Sequence, residues 1–500
     1  MNINTSSGQR KVIVIGAGFG GLSCAIGLAT RGYEVTILEK QPTIGGKLQA
    51  VEIDGYHFDR GPSTITMPHV FRSVFEQAGR SMDEYVQLYE LEPRTRNVFA
   101  DGHIVDLSRD ADVTAQQIAA FSPQDAMQYK RFLQEAQALY READSRFLNT
   151  LLLSWKDKLT PAMGKSLLRV RPLTTLQQLL QRYFHHPHTL KMFGRYATYV
   201  GASPYAAPAI FAMLAHVEAN DGVYGVQGGT HQIIRGMEQL ALELGIHIQT
   251  GTEVNRILTT SGKVTGVDTN RGHYEAPLVI VNGDVLSTSR MLLEPEQRPS
   301  LSDRRIDSYE PSLSGFVTLA GVPQRYDQLL HHTVFFPEQY EPEFQHIFKE
   351  RTAPADPTLY ICHSGYSEPE MAPAGGSNLF ILANAPYTSN SWDWQEQQHA
   401  YGQRIAGMLE QYGLTGIRQA EVWQHYTPAD IQRDTYAHKG AIYGISSNGA
   451  RQTFFRPGNR SQDVQGLWYV GGTTHPGGGT PIVTLSGQLV ARHIAEHSHR

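Results

Sequence analysis

Cysteine is nearly absent: the 500-residue chain has two, Cys24 and Cys362, far apart in sequence. Neither a disulfide framework nor a cysteine-rich metal site can be assembled from them, and the scarcity suits a reducing compartment. Charge is also sparse. Charged side chains make up 18% of the chain, 43 basic against 48 acidic, for a net charge of −5. That balance excludes a dedicated nucleic-acid binder. No run of about 18–20 apolar residues occurs, so no membrane-spanning helix is expected. The opening residues, MNINTSSGQR, lack the apolar core of a secretory signal, which points to a cytoplasmic protein. With 40% hydrophobic and 10% aromatic residues, the chain is not disordered, and its length suits at least two folding units.

Glycine is plentiful: 47 residues, where about 35 is usual for this length. The excess is concentrated in a few places. Lys11–Ile15 reads as a buried parallel strand and runs into Gly16-Ala17-Gly18-Phe19-Gly20-Gly21. A helical pattern follows over Leu22–Thr30, then a second strand over Glu34–Leu38 that ends at Glu39. Strand, glycine turn, helix and strand make a dinucleotide-binding βαβ unit. Gly16 suits the tight turn, Gly18 lets backbone reach a pyrophosphate, and Gly21 lets helix and strands pack closely. The helix N-terminus offers free N–H groups to the phosphates. Glu39 is placed to accept hydrogen bonds from both ribose hydroxyls and to repel a 2′-phosphate.

A second glycine-dense loop lies at the other end. The strand Leu467–Val470 leads into Gly471-Gly472-Thr473-Thr474-His475-Pro476-Gly477-Gly478-Gly479-Thr480-Pro481, then a helical pattern over Ile482–His493. Pro481 suits a first helical turn, and such a loop is again an anion-facing device. Between the two ends, Ile44-Gly45-Gly46-Lys47 and Phe58-Asp59-Arg60-Gly61-Pro62-Ser63 form rigid turns. Residues 223–236, VYGVQGGTHQIIRG, precede an amphipathic helix over Met237–Leu244. Strands follow over Ile246–Gln249, Glu253–Leu258, Val264–Thr269 and Leu278–Val281, then Asn282-Gly283-Asp284. No catalytic residue can be named. His185, His186, His216, His231, His331 and His332 are candidates without geometry, and His475 is favoured by position alone. His185-His186-Pro187-His188 is not read as a metal site, because adjacent histidines diverge on a regular element.

These motifs resemble those of the FAD-containing amine oxidases and phytoene desaturases, and the chain is similar end to end to the bacterial carotenoid desaturase/oxygenase family. The most specific pieces are Asp59-Arg60-Gly61-Pro62-Ser63, Tyr199-Val200-Gly201, Gly440-Ala441-Ile442-Tyr443-Gly444 and His475-Pro476-Gly477-Gly478-Gly479. Within the family the diaponeurosporene/diapolycopene oxygenase branch is the nearest match, on Gly228-Gly229-Thr230-His231 and on residues 480–488, TPIVTLSGQ. The resemblance implies an α/β protein in which a Rossmann-type FAD-binding domain (1–100, 220–285 and 430–500) is interleaved with a mixed α+β substrate domain (101–219 and 286–429). It implies FAD held by Gly16, Gly18, Gly21, Glu39, Gly46, Lys47, Gly61, Pro62, Ser63, Val254, Gly472, Pro481, Ile482 and Val483, with Val254 at the adenine. The implied substrate is a long polyene, with O2 as co-substrate if its terminal methyl is oxygenated to aldehyde or acid. A desaturase would instead remove hydrogen from the chain itself, and a non-catalytic prenyl-lipid carrier like the Rab GDP-dissociation inhibitors is a third reading. An amine oxidase is disfavoured, because many carry an acid where Gly471-Gly472-Thr473 stands. A polyene dissolves in lipid. Apolar residues with interleaved cations from Leu151 to Arg171, including Trp155, accordingly predict a segment that dips into an anionic membrane surface.

Overall fold

The computed structural model describes residues 10–153 and 170–497. Four β-branched residues, Val12 to Ile15, favour an extended chain that can be buried on both faces, and they form the centre of a five-stranded parallel sheet. Its order is Leu467–Val470, Leu278–Asn282, Lys11–Ile15, Glu34–Leu38, His247–Gln249. The first and last strands of the chain thus lie one strand apart. The helix after the central strand spans Phe19–Ala29 and starts three residues earlier than the sequence pattern suggests. Extended Gly18 is its N-cap, so Gly20 and Gly21 sit in the first turn rather than in the loop. A Cβ at Gly21 would stand 2.2 Å from the Gly16 carbonyl oxygen, so only glycine lets this helix lie on the strand.

The second layer is a seven-stranded sheet: Val422–Tyr426, Ser314–Val322, Ser377–Ala385, Leu359–Cys362, His332–Phe336, Thr95–Phe99 and Ile104–Leu107. Its two longest strands pair from Ser314↔Ala385 to Val322↔Ser377. Alternation then sorts the side chains. Phe316, Leu379, Ile381 and Ala383 pack under the helix Trp394–Gln411, while Val317, Phe380 and Leu382 turn to the opposite face and line a cavity. Thr95–Phe99, on the cofactor side of the boundary at residue 100, pairs in this sheet with His332–Phe336.

Over that face lies a helical layer led by Pro123–Ala143, which Ser122 caps and Pro123 opens. Its buried stripe, Tyr129, Phe132, Ala136, Leu139 and Ala143, packs on Leu176, Phe184, Phe193 and Tyr196. Leu152 is buried in the same core, and Leu151 and Leu153 pack against neighbouring ones. The start of the segment expected at a membrane surface is therefore covered. Residues 154–169, with Trp155, lie outside the described residues; at the segment's end Val170 is buried in that core and Arg171 pairs with Glu135 at 3.0 Å, while Leu173 just beyond is 93% exposed.

Candidate active site

A cavity of about 570 Å³ runs from the parallel sheet to the space between the second sheet and the helical layer. Every candidate residue except Gly21 lines it, so Gly18 and Pro481 share one chamber although 463 positions separate them. Gly21 is buried behind the wall, in the packing role its position suggests.

At the inner end Glu39 is 6% exposed. One carboxylate oxygen accepts the Ala17 amide at 2.8 Å and the other the Gln41 amide at 2.9 Å. Burial raises its pKa, and those amides partly offset the rise. Each oxygen keeps a lone pair for a ligand hydroxyl. Asn282 closes the glycine turn: its side-chain amide donates to the Gly16 carbonyl at 3.2 Å. Asp284 accepts Leu286 and Ser287 at its helix start and the His438 amide at 3.1 Å, and the Val285 amide donates to Thr473 at 2.9 Å. Residues near 285, 438 and 473 thereby become one wall.

Lys47 is enclosed at the middle of the cavity. Its ammonium donates to the Ala441 and Ile442 carbonyls at 3.0 and 2.8 Å, and burial lowers its pKa to about 8. Asp59 accepts Thr230 and His231 amides at 2.5 and 3.1 Å, so two motifs 171 residues apart meet and hold the Arg60–Ser63 turn. Ser63 shares a 2.7 Å hydrogen bond with Tyr360, whose hydroxyl meets His332 Nδ1 at 2.8 Å. Arg456 donates to the Gly472 carbonyl at 3.1 Å and to Ser447 at 2.7 Å; burial lowers it to about 10. The helix Thr480–His497 begins at this cavity and presents its first-turn N–H groups there.

These features fit an FAD. The turn at Gly18 leaves bare backbone for phosphate, Glu39 has spare acceptors at ribose reach of it, and a helix start and an enclosed ammonium face the far end. Residues 19–495 match the flavin-containing amine oxidoreductase family. The chain belongs to that family. This flavoenzyme, an FAD-dependent oxidoreductase, is 36% identical over 493 residues to a 4,4'-diapolycopene oxygenase of Methylomonas sp, covering 98% of both chains. It is 35% identical over 490 residues to a 4,4'-diaponeurosporene oxygenase of Staphylococcus haemolyticus, covering 97% of both. Among solved structures, an oxidoreductase from Methanosarcina mazei is 19% identical with a TM-score of 0.63, over 96% of this chain and all of that one. Putrescine oxidase bound to putrescine is 14% identical with the same TM-score, over 98% and 99%. At such identities the last two speak for the fold alone.

The histidines separate by role. His186 caps the helix Pro187–Gly194, and His188 meets Asp101 at 2.8 Å. His216 packs on Tyr140, and His231 meets the Ile44 carbonyl at 3.3 Å. Burial pushes His331 to about 3 and His332 well below its usual range, so both are neutral near pH 7. His475 lines the cavity, with Nε2 at 2.9 Å from the Thr150 carbonyl. The flavoenzyme's sequence reading did not single out Arg195, Glu218, Tyr360 or Arg456, which also line the cavity. Only Asn282-Gly283-Asp284, at a strand end, carried a local signal for its part of the wall.

Proposed function

We propose that this flavoenzyme oxygenates the terminal methyl of a carotenoid polyene of the diaponeurosporene or diapolycopene type, giving an aldehyde or acid. The observation that carries the reading is the single cavity in which both glycine loops open onto the apolar wall of Leu148, Phe211, Met213, Val217, Val317 and Leu382. The full-length relatives bearing oxygenase names support it. The overall change, R–CH3 + O2 to R–CHO + H2O, balances without an external reductant. FAD supplies the redox chemistry when bound.

In this reading the chain's own residues do the rest. Glu39 takes the ribose hydroxyls, and Gly16, Gly18, Gly46 and Lys47 border the pyrophosphate and flavin. Val254 lies at the adenine. Gly61, Pro62 and Ser63 border the ring, and Gly472, Pro481, Ile482 and Val483 bring positive backbone to its pyrimidine edge. Gly21 packs the helix that carries the phosphates. The wall of Phe211, Val317, Phe380 and Leu382 excludes water and orients the polyene. The division into a cofactor part (1–100, 220–285, 430–500) and a substrate part (101–219, 286–429) belongs to the same proposal, with Thr95–Phe99 passing to the substrate part.

Expression in cells that make diaponeurosporene, followed by mass analysis of the pigment, is the test. Gain of oxygen supports the reading. Loss of hydrogen pairs alone would make the enzyme a desaturase.

We also infer a cytoplasmic protein attached peripherally to a membrane through residues 154–169. No helix among the described residues is long and apolar enough to cross a membrane. The exposed Leu173 beside the segment and the lipid solubility of the substrate support attachment. Replacing Trp155 and Leu159 with Ser lowers co-sedimentation with anionic vesicles if this is right; unchanged co-sedimentation ends the idea.

A further inference from the structure

The substrate side of the cavity carries a cation that a hydrocarbon does not need. Arg195 opens the short helix Arg195–Val200, is 4% exposed, and lines the cavity. Its Nη1 donates to the Tyr199 hydroxyl at 2.8 Å, and its guanidinium lies 4.8 Å over the Tyr199 ring. Nε and Nη2 have no acceptor among the described residues. The carboxylate of the same wall, Glu218, accepts the Tyr196 hydroxyl at 2.8 Å and stands 3.8 Å from Arg94 Nε. One acid therefore faces two buried guanidiniums, leaving one positive charge over. A buried cation with idle donors is costly unless a ligand supplies the acceptor.

Its place in the fold is equally specific. The helix ends at Gly201, with φ +70°, where a Cβ would stand 2.5 Å from the Ser312 Cβ and 2.8 Å from the Tyr443 ring. The Leu313 amide donates to the Gly201 carbonyl at 3.0 Å. Arg195 and Tyr443 line the same cavity, and the Tyr443 carbonyl oxygen lies 3.2 Å from where a Cβ of Gly478 would be. Arg195, Tyr443 and the loop Gly477-Gly478-Gly479 thus line one cavity.

We propose that Arg195 binds the oxygen of an oxidised polyene terminus: an aldehyde, and most tightly a carboxylate. The inference rests on the carotenoid reading above and extends it by naming the residue that distinguishes the once-oxidised end from the hydrocarbon. A planar guanidinium suits a carboxylate, and an apolar surround strengthens the contact. Arg195 holds the aldehyde end in the cavity for the second oxidation, R–CHO + H2O + O2 to R–COOH + H2O2, and keeps the acid as product.

Binding tests this without turnover. The purified holoenzyme is titrated anaerobically with all-trans-retinoic acid and with axerophthene, the hydrocarbon of the same skeleton, following polyene absorption and flavin fluorescence. The acid is expected to bind at least about tenfold tighter than the hydrocarbon. Arg195→Gln should weaken the acid about tenfold and leave the hydrocarbon within roughly twofold, while Arg195→Lys, which keeps the charge without the fork, falls between. Unaltered flavin content shows that the variants are folded. Equal affinity of the wild-type enzyme for acid and hydrocarbon overturns the inference but leaves the carotenoid reading standing. Binding of neither overturns the inference, while the carotenoid reading stands or falls on the pigment test above.

Discussion

Glu39 and Lys47 show how single side chains were selected by opposite electrostatic demands. Both are enclosed, and burial disfavours the charged form of each. For Glu39 the donated amides of Ala17 and Gln41 partly compensate, and ribose hydroxyls complete the set in the proposed complex. Glu39→Ala should weaken FAD at least about tenfold in a fluorescence titration, as expected for losing charge-assisted hydrogen bonds. Because those hydroxyls favour the carboxylate over the neutral acid, FAD affinity should fall as pH drops through the raised pKa of Glu39. An affinity flat down to pH 4 would contradict this. Lys47 titrates near 8 in the folded protein and at about 10.5 when unfolded. Between those values the unfolded chain binds the extra proton, so this group's contribution to stability rises with pH. The apoprotein's Tm should carry an upward component from pH 8 to 10.5 that is missing in Lys47→Met. Glu39 was readable from its place after the second strand. The carbonyl partners of Lys47 come from residues about 395 positions away, and no local pattern announces them.

The C-terminal helix is the element on which the cofactor site turns. It lies against the first helix at a glycine contact: a Cβ on Gly487 would stand 2.3 Å from the Gly20 carbonyl oxygen and 2.8 Å from the Cys24 amide. Ser23 donates to the Thr484 carbonyl at 2.8 Å across the same crossing. Gly487→Val should destabilise the protein by about 1–3 kcal/mol through overpacking. Flavin should be lost with it, because Pro481, Ile482 and Val483 ride on that helix; calorimetry and flavin absorbance measure the two effects. Gly487 was visible in sequence only as part of a family-like string, since a helical pattern does not reveal which neighbour needs the gap. Elements with strong local codes were legible: the strands Lys11–Ile15 and Glu34–Leu38 fall where their β-branched runs place them, and Leu467–Val470 where its short apolar run does. The seven-stranded sheet was not legible. Its longest strands, Ser314–Val322 and Ser377–Ala385, are buried on both faces and interspersed with Ser, Thr, Asn and Gly, so neither alternation nor a clean apolar run marks them.

At the scale of the whole molecule, one chain end completes the site begun by the other. The two edges of the glycine-lined wall come from strands that share the sheet with Leu278–Asn282 between them. Deleting residues 480–500 should therefore yield protein without flavin absorbance, even though the phosphate-binding βαβ unit is intact. A yellow truncated protein would show that the N-terminal unit suffices. The local strand-turn-helix code, the acid at the second strand's end and the two glycine-dense loops were enough to reveal a dinucleotide-binding unit, and the resemblance of the longer motifs pointed to FAD. Such features depend on backbone conformation and hydrogen-bond chemistry within a few residues. The single cavity, the meeting of Asp59 with Thr230 and His231, the neutral state of His331 and His332, and the unanswered charge of Arg195 emerged only on folding. Each depends on burial and on partners brought from distant parts of the chain, and neither quantity is encoded in any one segment.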